Sequence, residues 1–235
     1  MKPPPERALF DLVRLSDSSL AIGTFAHSFG LETSIQEGRV RDGPTLEAFL
    51  RTELMLRAAP CDLPFLGAAY RAAASENARR LLEIDRRLHA FMHARESREA
   101  SLQMGRALLD LSVETAPSAF LFRFKRFLIA ERKKGRPGGH YLTVLGGVAA
   151  GRKIPARSAA VAYLYGFLSS RISVAVRLIP LGQTQAQRIL VGLFARCARL
   201  ARNIEKGLDE LSDFAGTSDI QRMRHEALST KIFRS

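Results

Sequence analysis

His89 and His93 stand four residues apart, a spacing that sets two imidazoles on one face of a helix, where they can share a metal ion. The pair lacks the glutamate of a His-Glu-x-x-His metalloprotease helix, and no third ligand stands near it in sequence, so a solvated or half-buried pair is the better reading. His27 and Ser28 are adjacent, but no nucleophile elbow surrounds the serine and no oxyanion donor can be assigned, which leaves loop structure. Gly135, Gly138 and Gly139 follow Lys133 and Lys134 in the wrong order for a phosphate-binding loop. Two arginines say more. Arg171 and Arg177 lie on the longest near-continuous apolar stretch of the chain, where an unpaired charge is expensive. Arg177 falls near the end of that stretch, where a cation also favours a helix dipole; the other reading for both is contact with a partner. No catalytic constellation emerges.

The stretch that carries these arginines predicts a central buried helix over roughly 156–179. Its thirteen uncharged residues between Arg157 and Arg171 rise roughly 20 Å, short of the roughly 30 Å of a bilayer core, so it reads as a core helix. Ser158, Ala162, Gly166, Ser169, Ser173 and Arg177 form a stripe of small side chains ending in a charge, which invites close approach of another backbone. Pro180 ends the helix, and Thr184 with Gln187 matches a capping box opening the next, 184 to 206. There Ile189, Leu193 and Cys197 face Arg188, Arg196 and Arg199 across the wheel. Helical periodicity also covers 44–59, 63–74, 76–94, 96–114 and the basic segment 118–134, with short helices at 208–214 and 218–228. Residues 1–5 are expected to be disordered, and the helix after them is expected to turn Leu9, Phe10, Leu12 and Val13 inward. With no period-two pattern the fold class is all-α: one domain, 6–228, of about ten helices.

The chain has 36 basic and 23 acidic residues, a formal charge of +13, which favours acidic partners without choosing among them. Cys61 and Cys197 are far apart and form neither a disulfide framework nor a zinc spacing, which fits a reducing, cytoplasmic setting. The opening MKPPPERALF has prolines where a signal peptide needs an apolar run. A basic helical module binding nucleic acid or an anionic membrane surface through 118–134 and 188–206 is one reading of these facts.

Five ordered blocks point elsewhere. SDSSLAIGTFAHSFGLE, CDLPFLGAAYRA, ESREASLQMGRALL, RLIPLGQTQAQR and SDIQRMRHEALSTKIFRS together resemble the urease accessory protein F family, UreF. The resemblance implies an all-helical, non-enzymatic, cytoplasmic homodimer with neither nucleic acid nor membrane as partner. It would bind the accessory protein UreD (UreH in some bacteria) and recruit the GTPase UreG. The complex would then insert nickel into apo-urease at the expense of GTP. Nickel is the cargo of that assembly, and no cofactor, catalytic residue or metal ligand is implied for this chain. By position, the UreG side falls to Glu32, Arg177, Gln183 and Gln187, with Glu32 and Arg177 as gating charges. The UreD side falls to Met223, Arg224, His225, Glu226, Phe233, Arg234 and Ser235, with 229–235 as a partner-binding tail. That tail is polar around one Ile-Phe pair, and when free it is expected to be mobile or loosely packed. Ala21 and Thr24 depart from the family's usual Pro and Gly, Ser229 replaces a common aromatic, and 112–139 match poorly.

Overall fold

A computed structural model of the chain describes residues 5–17, 20, 22–211, 216–228 and 230–233. The described residues contain helices and turns and no strand. The helices are α1 (Pro5–Ser16), α2 (Leu31–Gln36), α3 (Gly43–Glu53), α4 (Leu63–Ala74), α5 (Ala78–Phe91), α6 (Arg95–Thr115), α7 (Ala119–Lys133), α8 (Tyr141–Gly151), α9 (Ala156–Leu178), α10 (Gln183–Leu200) and α11 (Gly216–His225). Short 3₁₀ turns occupy Thr24–Ala26, Ala201–Glu205 and Leu208–Glu210. Residues 1–4, on which the expected N-terminal disorder falls, lie outside the described residues.

Side-chain caps set several helix starts. Asp42 accepts from the Thr45 amide at 3.0 Å, while Thr45 Oγ1 accepts from the Asp42 amide at 3.1 Å, a reciprocal cap at the start of α3. Asn77 Oδ1 and Ser118 Oγ cap α5 and α7 one-way, each accepting from the amide three residues on. Between α3 and α4 the chain does not break. Leu54–Asp62 continues as a π-helix with Pro60 inside it, and this wider turn brings Arg57 and Asp62, five residues apart, into a buried ion pair at 3.2 Å.

The most extensive helix contact is between α4 and α8. A Cβ on Gly146 of α8 would lie 2.8 Å from both the Ala69 Cβ and the Tyr70 amide of α4, so only glycine permits this approach. The sequence pattern missed α8: LTVLGGVAAG is apolar all round, and its burial leaves no polar stripe to mark a period. Its N-terminus is held by the fully buried Asp85 of α5. That carboxylate accepts from the Gly139 and His140 amides at 2.8 Å each and from the Thr143 hydroxyl. The His140 ring lies between His89 Nδ1 at 3.0 Å and Ser101 Oγ at 3.1 Å, and burial pushes its pKa down to about 4. His89 and His93 do not share a helix face, because α5 ends at Phe91.

α9 runs through the bundle against α1, α2, α3, α4, α8 and α10, so the expected central helix is present and ends at Leu178. It passes the length and hydropathy test for a membrane span, yet its neighbours are the other helices of the fold. The small-residue stripe is not its packed side. Ser158, Ala162, Gly166, Ser169 and Ser173 are half-buried, while Ala160, Leu164, Leu168, Ile172 and Ala175 enter the core; a Cβ on Gly166 would meet nothing within 4 Å. α10 starts at Gln183 with Gly182 at the cap and no side-chain cap bond, so the expected Thr184 capping box does not form. The largest reversal concerns α1. Its buried side is Asp11, bound to Arg152 and to Arg7, with Leu12 and Leu15 packed on the core, while Leu9 (61% exposed), Phe10 (58%) and Val13 (60%) face outward. On α7 several basic side chains are tied into ion pairs, Arg123 to Glu76 at 2.8 Å and Lys125 to Asp110 at 2.7 Å.

Candidate partner-docking site

The chain arrives at α2 through a turn only glycine tolerates. Gly30 has φ +86°, and a Cβ there would lie 3.1 Å from Cγ of Arg222. This lets α2 lie against α11, where Ser34 Oγ donates to Gln221 Oε1 at 2.7 Å and Arg222 donates to the Phe29 carbonyl at 3.3 Å. Arg222 also reaches Glu53 at 2.6 Å and Asp219 at 3.3 Å, pinning α11 to α3 through a buried charge pair.

Glu32, in the first turn of α2, is 1% exposed. Its carboxylate accepts three hydrogen bonds: from the Ile232 amide at 2.8 Å, from the Phe233 amide at 3.1 Å and from His225 Nε2 at 3.1 Å. Three donors are what a buried carboxylate needs to offset the loss of water. The other His225 nitrogen faces Glu96 of α6 at 2.6 Å, so both carboxylates are satisfied when the ring carries both N–H groups. Lys231 closes the group, reaching Glu96 at 3.1 Å and the Glu226 carbonyl at 3.1 Å. Gln36 donates to the Thr230 carbonyl at 2.9 Å. Residues 230–233 are therefore seated on α2 by backbone and side-chain bonds, which corrects the expectation that the free tail packs loosely. Phe233 is buried, and the exposed Arg177 places its guanidinium carbon 5.8 Å from the Phe233 ring centroid.

Two groups of residues that the sequence kept apart thus meet at Phe233: Glu32 binds its backbone and Arg177 covers its ring. Glu32 does not stand on the surface. The exposed groups around it are Ile220 and Met223, which share one face of α11, with Ile232, Arg224 and Glu226. Arg224 pairs with Glu37 at 3.1 Å and Glu226 with Arg95 at 3.2 Å. Gln183 and Gln187 are exposed at the start of α10, with no hydrogen bond to this cluster among the described residues. Arg234, Ser235 and Ser229 lie outside the described residues. Sequence reasoning missed Glu96, Gln221, Arg222 and Lys231. Their signal was weak, since each pairs with a residue more than 100 positions away.

The described residues of this cluster seat 230–233 against α2. The UreF family model matches residues 40–194. The chain belongs to the UreF family. It is 33% identical over 228 residues to the urease accessory protein UreF of Actinobacillus pleuropneumoniae serotype 5b (strain L20), a match spanning 95% of this chain and 97% of that protein. UreF of Rhodopseudomonas palustris (strain BisA53) is 33% identical over 97% of this chain and 93% of its own length. UreF of Haemophilus influenzae (strain PittEE) is 34% identical over 97% of both chains. This UreF-family chain is an accessory protein and not an enzyme. Among the described residues no group of three or more His, Cys, Asp or Glu side chains is arranged to hold a metal ion.

Proposed function

We propose that this chain is a scaffold of urease maturation that binds UreD (UreH), recruits UreG and so couples GTP hydrolysis to nickel insertion into apo-urease, with nickel as the cargo of the complex. It works in the cytoplasm as a homodimer, with neither nucleic acid nor membrane as a partner. The observation that carries this reading is the seated tail: Glu32 holds the Ile232 and Phe233 amides, leaving Ile232, Met223 and Ile220 outside as an apolar patch rimmed by Arg224 and Glu226. UreD docks on this preformed patch. Pre-seating the tail lowers the ordering cost of binding.

Arg177, which covers the Phe233 ring, forms the UreG side together with the exposed Gln183 and Gln187 at the start of α10. Arg177 acts there by docking or gating, and Glu32 acts through the tail it holds. The homodimer uses the outward face of α1: Val13, Tyr165 of α9 and Phe194 of α10 line one apolar groove of ≈ 610 Å³. A truncation removing residues 230–235 tests the reading. Loss of UreD co-purification and of urease activation, with the helical circular-dichroism signal retained, is expected. UreD retention at parental levels would overturn it.

A further inference from the structure

A second feature lies deeper, in a cavity of ≈ 80 Å³ bounded by α6, α9, the π-turn and α11. Arg171 lines it and is 4% exposed. Its guanidinium carbon lies 3.5 Å from the Phe167 ring centroid and 5.0 Å from that of Phe29, so aromatic rings fix the plane of the group. Nη1 donates to the Phe167 carbonyl at 2.9 Å, and Nε has no hydrogen-bond partner. That leaves the side-on fork of Nε and Nη2 as the donor pair still to be matched. No carboxylate within 4.0 Å pairs with Arg171 among the described residues.

The acids of the neighbourhood are already committed. Asp62 accepts from Arg57 at 3.2 Å and from the Tyr163 hydroxyl at 2.6 Å; Glu53 accepts from Arg222; Asp219 lies between Arg222 and Arg57. Ser97, also lining the cavity and 5% exposed, has an Oγ with no partner. Burial pushes the Arg171 pKa down only to about 10, which keeps it charged at neutral pH. A buried guanidinium with an open fork and a buried hydroxyl with no partner, both lining one cavity, are groups that a ligand completes.

We propose that this cavity is a binding site for a small trigonal oxyanion of the carboxylate type, taken by the Arg171 fork in its own plane and by the Ser97 hydroxyl. The fork matches two oxygens of a planar anion at once. A protein cavity of about 150 Å³ holds benzene, so one of ≈ 80 Å³ has room for a ligand of about three or four heavy atoms. Formate, acetate and bicarbonate have that size and a single charge. Sulfate and phosphate are larger and doubly charged at neutral to alkaline pH. Because the surrounding arginines and carboxylates number three each, the site tolerates one added negative charge better than two.

The site calls for no other protein, so it is tested on the free chain, independently of the urease reading. Thermal midpoints of the full-length protein are measured against increasing formate, acetate or bicarbonate, each at ionic strength matched with chloride, with sulfate as the size and charge control. The three trigonal anions are expected to raise the midpoint saturably, while chloride and sulfate do not. Arg171→Lys keeps the charge without the fork, and Ser97→Ala removes only the hydroxyl. Each is expected to weaken binding about tenfold to a hundredfold, the worth of a charge-assisted hydrogen bond. Should Arg171→Lys fold poorly, Ser97→Ala together with the carbon-13 line width of labelled formate decides. A midpoint that responds equally to chloride, a sulfate effect as large as formate's, or undiminished binding in Ser97→Ala would overturn the assignment.

Discussion

A carboxylate buried as deeply as Glu32 survives only because it accepts from the Ile232 and Phe233 amides and from His225, and those bonds are what keep the tail in place. Glu32→Ala removes the acceptor while leaving the core of α2 intact. The Ile232 and Phe233 amides should then exchange with deuterium roughly tenfold to a hundredfold faster, with global stability changing less than local protection. Unchanged exchange at both amides would mean that other contacts hold the tail. His140 offers a pH test at the same scale. Burial lowers its pKa from 6.5 to about 4, so between those values the unfolded chain binds the extra proton. Stability contributed by the neutral ring is therefore full above pH 6.5 and lost as pH falls toward 4. The thermal midpoint should drop across that window, and His140→Asn should flatten the drop. This geometry is not legible in the sequence: Glu32 stands out there only through the family resemblance, its partner His225 is 193 residues away, and no local pattern joins them.

Among the elements, those with a wet face and a dry face were legible, and those without were not. α6 and α10 alternate polar and apolar residues at helical spacing, and their positions follow from the sequence to within a few residues. α8 has no wet face, so pattern alone did not find it; α1 was legible as a helix ending near Ser16, but its apolar side turns outward and not inward as expected. Two glycines, one packed and one open, test these placements. Gly146→Ala places a methyl 2.8 Å from Ala69 Cβ and should destabilise the protein by roughly 1–3 kcal/mol, read as a lowered denaturant midpoint. Gly166→Ala meets open space and should be neutral, or stabilise by up to about 1 kcal/mol through helix propensity. A Gly166→Ala variant as costly as Gly146→Ala would contradict this orientation of α9.

For the molecule as a whole, exposure marks where other chains belong. Leu9, Phe10 and Val13 of α1, Tyr165 of α9 and Val191 and Phe194 of α10 are all large, apolar and exposed, more than scattered surface hydrophobics require. If the proposed homodimer uses this face, a charge placed there, as in Phe194→Glu, should shift the protein from dimer to monomer in light scattering without loss of helix. A dimer unaffected by Phe194→Glu and Val13→Glu would move the copy-to-copy contact to another face. For the tail surface we propose a different partner, UreD. The decisive measurement is the affinity of UreD for the parent chain, Phe233→Ala and Glu32→Ala, with helical circular dichroism confirming that each variant folds. If the seated tail is the docking surface, both variants bind UreD at least roughly tenfold more weakly, in keeping with the loss of a buried aromatic anchor or of its backbone acceptor. Parental affinity in both folded variants would contradict it.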